Sequence, residues 1–175
     1  VFERVPFIGR LYTRNVQRFP DNVRYGDIVR GLPIGTNSCS GIYCSHVLEH
    51  LALSDIDVAL TNTYGYLQAE GIFRLVIPDL RQIAQSYLAD GSSASAHRFM
   101  KETGLGQERR PRGIVAFVKQ WLGNSAHLWM WDEASMKAKL AEHGFVRIRR
   151  AEFGDSEDWR FREVENRERF VGCLA

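Results

Sequence analysis

The sequence predicts one α/β domain spanning residues 1–175, with a mainly parallel sheet flanked by helices. Two apolar runs of strand length, Ser40–Ser45 and Ile72–Ile77, are each followed by a stretch with helical spacing. Gly, Pro and Asp residues punctuate the boundaries between them, as in repeated strand–helix units. At 175 residues and 45% hydrophobic composition, the chain has enough apolar mass for one core, which excludes a disordered tail or a coiled coil.

The elements follow in order. Residues 1–20 show no clear period, although Arg10, Arg14 and Arg18 would stack on one helix face, which could meet an anionic partner but is more commonly solvated. Pro20-Asp21-Asn22 is a turn, and Val23-Arg24-Tyr25 a short strand ending at Gly26-Asp27. After a glycine-punctuated loop come the strand 40–45 and a helical segment from Val47 to Leu51. Ser54 with Asp57 three residues on predicts a cap, and Ile56, Leu60, Thr63 and Leu67 share a face, so 54–68 is a helix. The clearest strand, 72–77, stops at Pro78-Asp79; Asp79 caps a helix with the stripe Leu80, Ile83, Ala84, Tyr87 and Leu88, closed by Gly91.

Residues 91–112 read as a polar connection containing Arg109, Arg110 and Arg112, followed by an amphipathic helix on Ile114, Phe117, Val118, Trp121 and Leu122. Asp132 opens a helix over 133–143 that Gly144 terminates. Strands at Phe145–Ile148 and Phe170–Leu174 close the chain, with a charged segment at 152–169 whose run Asp155-Ser156-Glu157-Asp158 reads as a solvated loop.

Composition bounds the function. Net charge is only +2, which does not favour nucleic acid, and no stretch reaches the roughly 18 apolar residues of a membrane helix. The first residues do not read as a signal peptide. Cys39, Cys44 and Cys173 cannot all pair, so a reducing cytoplasm is the expected location.

The run Ile42-Tyr43-Cys44-Ser45-His46-Val47-Leu48-Glu49-His50-Leu51 takes an apolar strand into a polar cluster and then a helical turn. Ligands of open α/β sheets bind at the carboxyl ends of strands, where Asp27, Ser45-His46 and Pro78-Asp79 all fall. With the strand-to-helix segment "SHVLEHL" and the later "RLVIPDL", residues 22–90 resemble the class I S-adenosylmethionine-dependent methyltransferases of the small type-11-like branch. The resemblance resumes at 127–148, where His127-Leu128-Trp129-Met130-Trp131-Asp132 precedes a helix and Gly144-Phe145.

That resemblance implies a Rossmann-like sheet and S-adenosyl-L-methionine as cofactor. It implies that Asp27 and Ile28 meet the adenine, and that Ser45 and His46 line the methionine moiety. Glu49, Pro78, Asp79 and Trp129 would border the acceptor, with 91–131 a variable substrate-side insertion. His46, then His127, are the candidate general bases, because imidazole titrates near neutral pH. The expected partner is a small-molecule acceptor, such as a sugar or an anionic metabolite facing the basic residues 109–112; a homodimer is left open, and no metal is required.

The sequence departs from the family where the glycine-rich cofactor loop belongs: residues 1–21 contain only Gly9. We therefore expect the sheet to be incomplete at its N-terminal strands and the native chain to extend at both termini. The alternative is a degenerate, non-catalytic methyltransferase-like module for binding or assembly. His46-Val47-Leu48-Glu49-His50 also matches the H-x-x-E-H pattern of inverted zinc peptidases, which is disfavoured because Pro78-Asp79 and the strand order have no place in it.

Overall fold

A computed structural model describes residues 21–108, 112–113 and 126–175. The Arg10/Arg14/Arg18 face, Arg109, Arg110 and the expected helix from Ile114 to Leu122 with Trp121 lie outside the described residues. Within them the chain is a mixed α/β fold around a three-stranded sheet, ordered β1 (Cys39–Ser45), β2 (Leu67–Pro78), β3 (Cys173–Leu174). The described sheet is smaller and less parallel than expected: β1 and β2 run parallel, whereas β3 runs antiparallel to β2.

The β1–β2 register holds from Gly41↔Ile72 to Ser45↔Val76, and is offset from the Cys39↔Leu67 pair by an irregularity. Glu70 takes φ +61° there, and a Cβ on Gly71 would come 2.9 Å from the Gln68 carbonyl oxygen, so the irregularity requires glycine. Between the strands runs α1 (Leu53–Tyr66), which buries Ile56, Ala59, Leu60 and Thr63 on the predicted face. Its N-cap is Ala52, with no side-chain cap bond, so the Ser54/Asp57 cap is not formed.

Asp79 caps α2 (Leu80–Ala89) as expected, accepting from the backbone N–H groups of Arg81 and Gln82. Only Ile83 of its apolar stripe is buried, and Tyr87 and Leu88 are exposed. The polar connection contains a helix that the sequence reading missed, α3 (Ser95–Glu102), which buries no residue of its own and sets Phe99 5.2 Å from the Tyr87 ring. At α4 (Glu133–Glu142), Asp132 and Ser135 form a reciprocal capping box. Gly144 ends it at φ +88°, with the Phe145 N–H reaching the Leu140 carbonyl.

Three further expectations are corrected. Val23–Tyr25 forms no strand: Val23 and Tyr25 are exposed, and only an isolated Asp27–Gly31 bridge follows. Phe145–Ile148 is irregular because Arg147 takes φ +55° and Phe145 packs against Tyr64 and Phe73. Of Phe170–Leu174, only Cys173–Leu174 is strand, and a 3-10 turn (Arg167–Phe170) precedes it.

Side chains alternate across the sheet. One face carries Leu75 and Ile77 into the core with Leu48, Ile56, Ala59, Leu60, Met136 and Leu140. The opposite face carries Arg74 and Val76, covered by the C-terminal segment. Phe161, on the 3-10 turn Trp159–Glu163, packs on Gly41. Arg74 pairs with the fully buried Glu165, reaches Asp155 at 2.9 Å and donates to the Glu152 carbonyl at 2.5 Å. Asp155 thus anchors the C-terminal layer from an irregular loop in which it and Glu157 are exposed, as the run Asp155–Asp158 predicts. Among the described residues, no helix is long and apolar enough to cross a membrane.

Candidate functional site at the carboxyl ends of β1 and β2

The final rung of the parallel pair is a hydrogen bond from the His46 N–H to the Val76 carbonyl, 2.8 Å. His46 then takes φ +54°, a left-handed conformation that costs a non-glycine residue on the order of 1–3 kcal/mol. That bend starts a 3-10 turn (Leu48–His50) anchored by the buried Leu48, in place of the longer helical segment expected from Val47. The bend at His46, just ahead of that turn, brings its ring against residue 49. The His46 Nδ1 accordingly lies 3.1 Å from Glu49 Oε1.

Glu49 is 1% exposed, and its Oε2 has no hydrogen-bond partner among the described residues. Its backbone carbonyl accepts from the N–H groups of Leu128 (2.7 Å) and Trp129 (3.2 Å), which docks the 126–131 strap on the turn. The strap brings His127 against His50, with ring centroids 4.9 Å apart and edge-on. Each ring turns Nδ1 to a backbone carbonyl: His50 to Ala126 at 3.0 Å, His127 to Thr103 at 2.8 Å. A carbonyl only accepts, so both Nδ1 atoms carry hydrogen, and in the neutral form of each ring Nε2 holds the lone pair.

A third segment arrives from the C-terminus. The Arg169 carbonyl lies 3.1 Å from His46 Nε2, and Cys173 Sγ lies 3.9 Å from the same atom. Both His46 nitrogens therefore face acceptor oxygens, Glu49 on one side and Arg169 on the other. Burial, reinforced by the negative charges of Glu49 and Asp79, pushes the Cys173 thiol up to about 11. Burial, with a smaller contribution from Glu49, takes Cys44 up to about 12.

Asp79 is buried and spends Oδ1 on the α2 N-terminus; its own N–H donates to Gly172, and Arg150 lies 3.6 Å from Oδ2. Pro78 pairs with Cys173 and Asp79 bridges to Trp131. Ser45 Oγ is buried without a partner among the described residues. Trp129 is partly exposed beside the core residue Trp131.

Of the residues picked out by sequence, the fold thus gathers His46, Glu49, Pro78, Asp79, His127 and Trp129 through shared partners. Asp27 and Ile28 are held differently: Asp27 Oδ1 accepts from Val29 and Arg30 N–H, while Asn62 donates to the carbonyls of Ile28 and Val29. That loop is thereby fastened to α1. Sequence reasoning did not single out Cys173, the Arg169 carbonyl or the pairing of His50 with His127; the only local signal among them was the second histidine of H-x-x-E-H.

A cavity of about 670 Å³ lies elsewhere, between β2, α4 and residues 144–151, and none of these site residues lines it. The chain matches no family model, and no curated protein or solved structure shows significant similarity to it.

Proposed function

We propose that this chain carries out methyl transfer from S-adenosyl-L-methionine to a small-molecule acceptor, on a Rossmann-like sheet whose described part is β1–β3. The observation that carries the reading is the convergence of Ser45-His46 and Pro78-Asp79 at neighbouring carboxyl ends of two parallel strands, with Glu49 buried behind them. Strand ends of this kind are where α/β sheets hold ligands. The sequence resemblance supplies the reaction class, and the acceptor class, a sugar or an anionic metabolite, rests on the same analogy.

In this reading Asp27 and Ile28 contact the adenine, and Ser45 and His46 the methionine moiety. The protein contributes mainly alignment of the sulfonium methyl with the acceptor atom, an effect that reaches about 7–11 kcal/mol in favourable cases. The acceptor proton goes to a histidine with a free lone pair. His127 offers Nε2 as it stands, and His46 offers its own once the Arg169 carbonyl moves away. Glu49, Pro78, Asp79 and Trp129 border the acceptor. The three free cysteines suit a reducing cytoplasm.

One observation favours a second reading, a non-catalytic methyltransferase-like module: the chain's own Arg169 carbonyl occupies His46 Nε2. Calorimetric titration with S-adenosylmethionine separates the two. Saturable binding that weakens at least tenfold in Asp27→Ala supports the transferase, as does binding confined to a form of the chain extended at its N-terminus, whereas binding by neither form supports the module.

A further inference from the structure

We infer that Glu49, His50 and His127 form a binding site for a divalent first-row transition-metal ion. One ligand atom from each residue lies within 4.8 Å of the others. The three supply two imidazoles and one carboxylate, a donor set that suits zinc or ferrous iron with coordination positions left open.

Three independent features prepare the ligands. The Nδ1 atoms of His50 and His127 are engaged with the carbonyls of Ala126 and Thr103, which leaves Nε2 of each neutral ring as the atom able to ligate an ion. Metal-binding histidines are held by a second hydrogen bond of this kind. Glu49 is buried, and its Oε2 lacks a partner among the described residues, a state that costs free energy unless a donor or a cation satisfies it. Its Oε1 is fixed by His46, so the carboxylate has an outer-shell partner of its own.

The backbone supports the arrangement. Glu49 and His50 are adjacent on a short 3-10 turn, and His127 reaches them because two N–H groups of its strap dock on the Glu49 carbonyl. Gly104, at φ +65°, leaves room for the His127 ring; a Cβ there would lie 2.5 Å from Nδ1. His50 and His127 are half-buried, so an ion would keep an exposed side for water or ligand.

This set differs from the zinc-peptidase pattern, which needs His46 and His50 together on an α-helix. Here His46 is turned to Glu49 and Arg169. The inference does not depend on methyl transfer. An ion would take the His127 lone pair, and in a transferase the proton-acceptor role would then fall to His46.

The test is calorimetric titration of the chelator-stripped chain with Zn²⁺, repeated with Co²⁺ while recording visible absorption. The expected result is saturation at one ion per chain, with ligand-field bands for Co²⁺. Glu49→Gln, His50→Gln and His127→Gln should each weaken binding by at least tenfold, and His46→Ala by about tenfold through the outer shell. His143→Gln, remote from the cluster, should bind as the unmutated chain does.

Imidazole ¹⁵N spectra of the unmutated chain provide a readout that no folding defect can mimic. Zn²⁺ should shift two Nε2 resonances, those lost in the His50 and His127 variants, and leave the His143 resonances in place. No saturable binding at one ion per chain would overturn the inference, as would shifts confined to other histidines or a His127→Gln chain that binds undiminished.

Discussion

His46 Nδ1 and Glu49 Oε1 sit 3.1 Å apart across the bend that leads from β1 into the 3-10 turn, and the carboxylate is almost completely withdrawn from water. The pair links the end of β1 to the strap that carries His127, so its integrity bears on the whole candidate site. Removing His46 leaves a buried carboxyl without its side-chain partner, at an expected cost of about 1–3 kcal/mol. In a urea-denaturation cycle, His46→Ala and Glu49→Gln should be non-additive, with a coupling of about 1 kcal/mol or more. Additive effects would mean that the two groups are independent.

Arg74 is the second pivot. It joins β2 to Glu165, Asp155 and the Glu152 carbonyl, and stands 5.5 Å from the Phe170 ring centre. Arg74→Ala strands Glu165 in the interior and should cost about 3–5 kcal/mol, whereas a paired Arg74→Met/Glu165→Leu replacement should recover most of that loss. Because the same segment carries Arg169, Arg74→Ala should also change the His46 imidazole resonances in NMR spectra. Unchanged stability would show that the ion cluster does not hold the C-terminal layer.

The thiols give a chemical readout of burial. With Cys44 raised to about 12 and Cys173 to about 11, both are overwhelmingly protonated at pH 8. Their thiolate fractions there are about 10⁻⁴ and 10⁻³, so both should resist iodoacetamide in the folded chain and react on unfolding. Peptide mapping after timed alkylation checks this; rapid native labelling of Cys44 would contradict its placement.

Asp57 should show a defined acid dependence. The Lys139 ammonium and the His143 ring hold its carboxyl below the ordinary value. A carboxyl lowered on folding contributes stability above the unfolded-state pKa and loses it as pH falls through the folded value. The thermal midpoint of Asp57→Asn should thus lie below that of the unmutated chain at pH 7, and the gap should narrow as pH falls through and below the ordinary carboxylate range. A gap that does not narrow as pH falls below the ordinary carboxylate range would assign the effect to something other than ionisation.

Gly104 tests the strap by sterics alone. Gly104→Ala adds a methyl group into the His127 ring at a left-handed backbone position. It should destabilise the chain by about 1–3 kcal/mol and weaken Zn²⁺ binding, without touching a ligand. Full stability together with undiminished Zn²⁺ affinity would show that His127 is not seated against this glycine.

Much of the fold was legible because the signals were local. The apolar face of α1, the Asp79 and Asp132 caps and the Gly144 stop act within a few residues of themselves, and each appears where the spacing places it. Where a strand needed a partner, local pattern was insufficient. Val23–Tyr25 has the residues of a strand but pairs with nothing among the described residues, and Phe145 spends its ring on Tyr64 and Phe73. The helix α3 escaped notice because it has no buried stripe to reveal it.

The sequence by itself determined where α2 and α4 begin and where α4 stops, and that polar groups follow the apolar strands at Ser45-His46 and Pro78-Asp79. Only the tertiary structure decided what those groups meet. His50 reaches the Ala126 carbonyl, 76 residues away, and His46 reaches the Arg169 carbonyl, 123 residues away. Such pairings leave no local period or cap. They arise when packing removes polar groups from water, after which each donor and acceptor must find its partner in the folded chain.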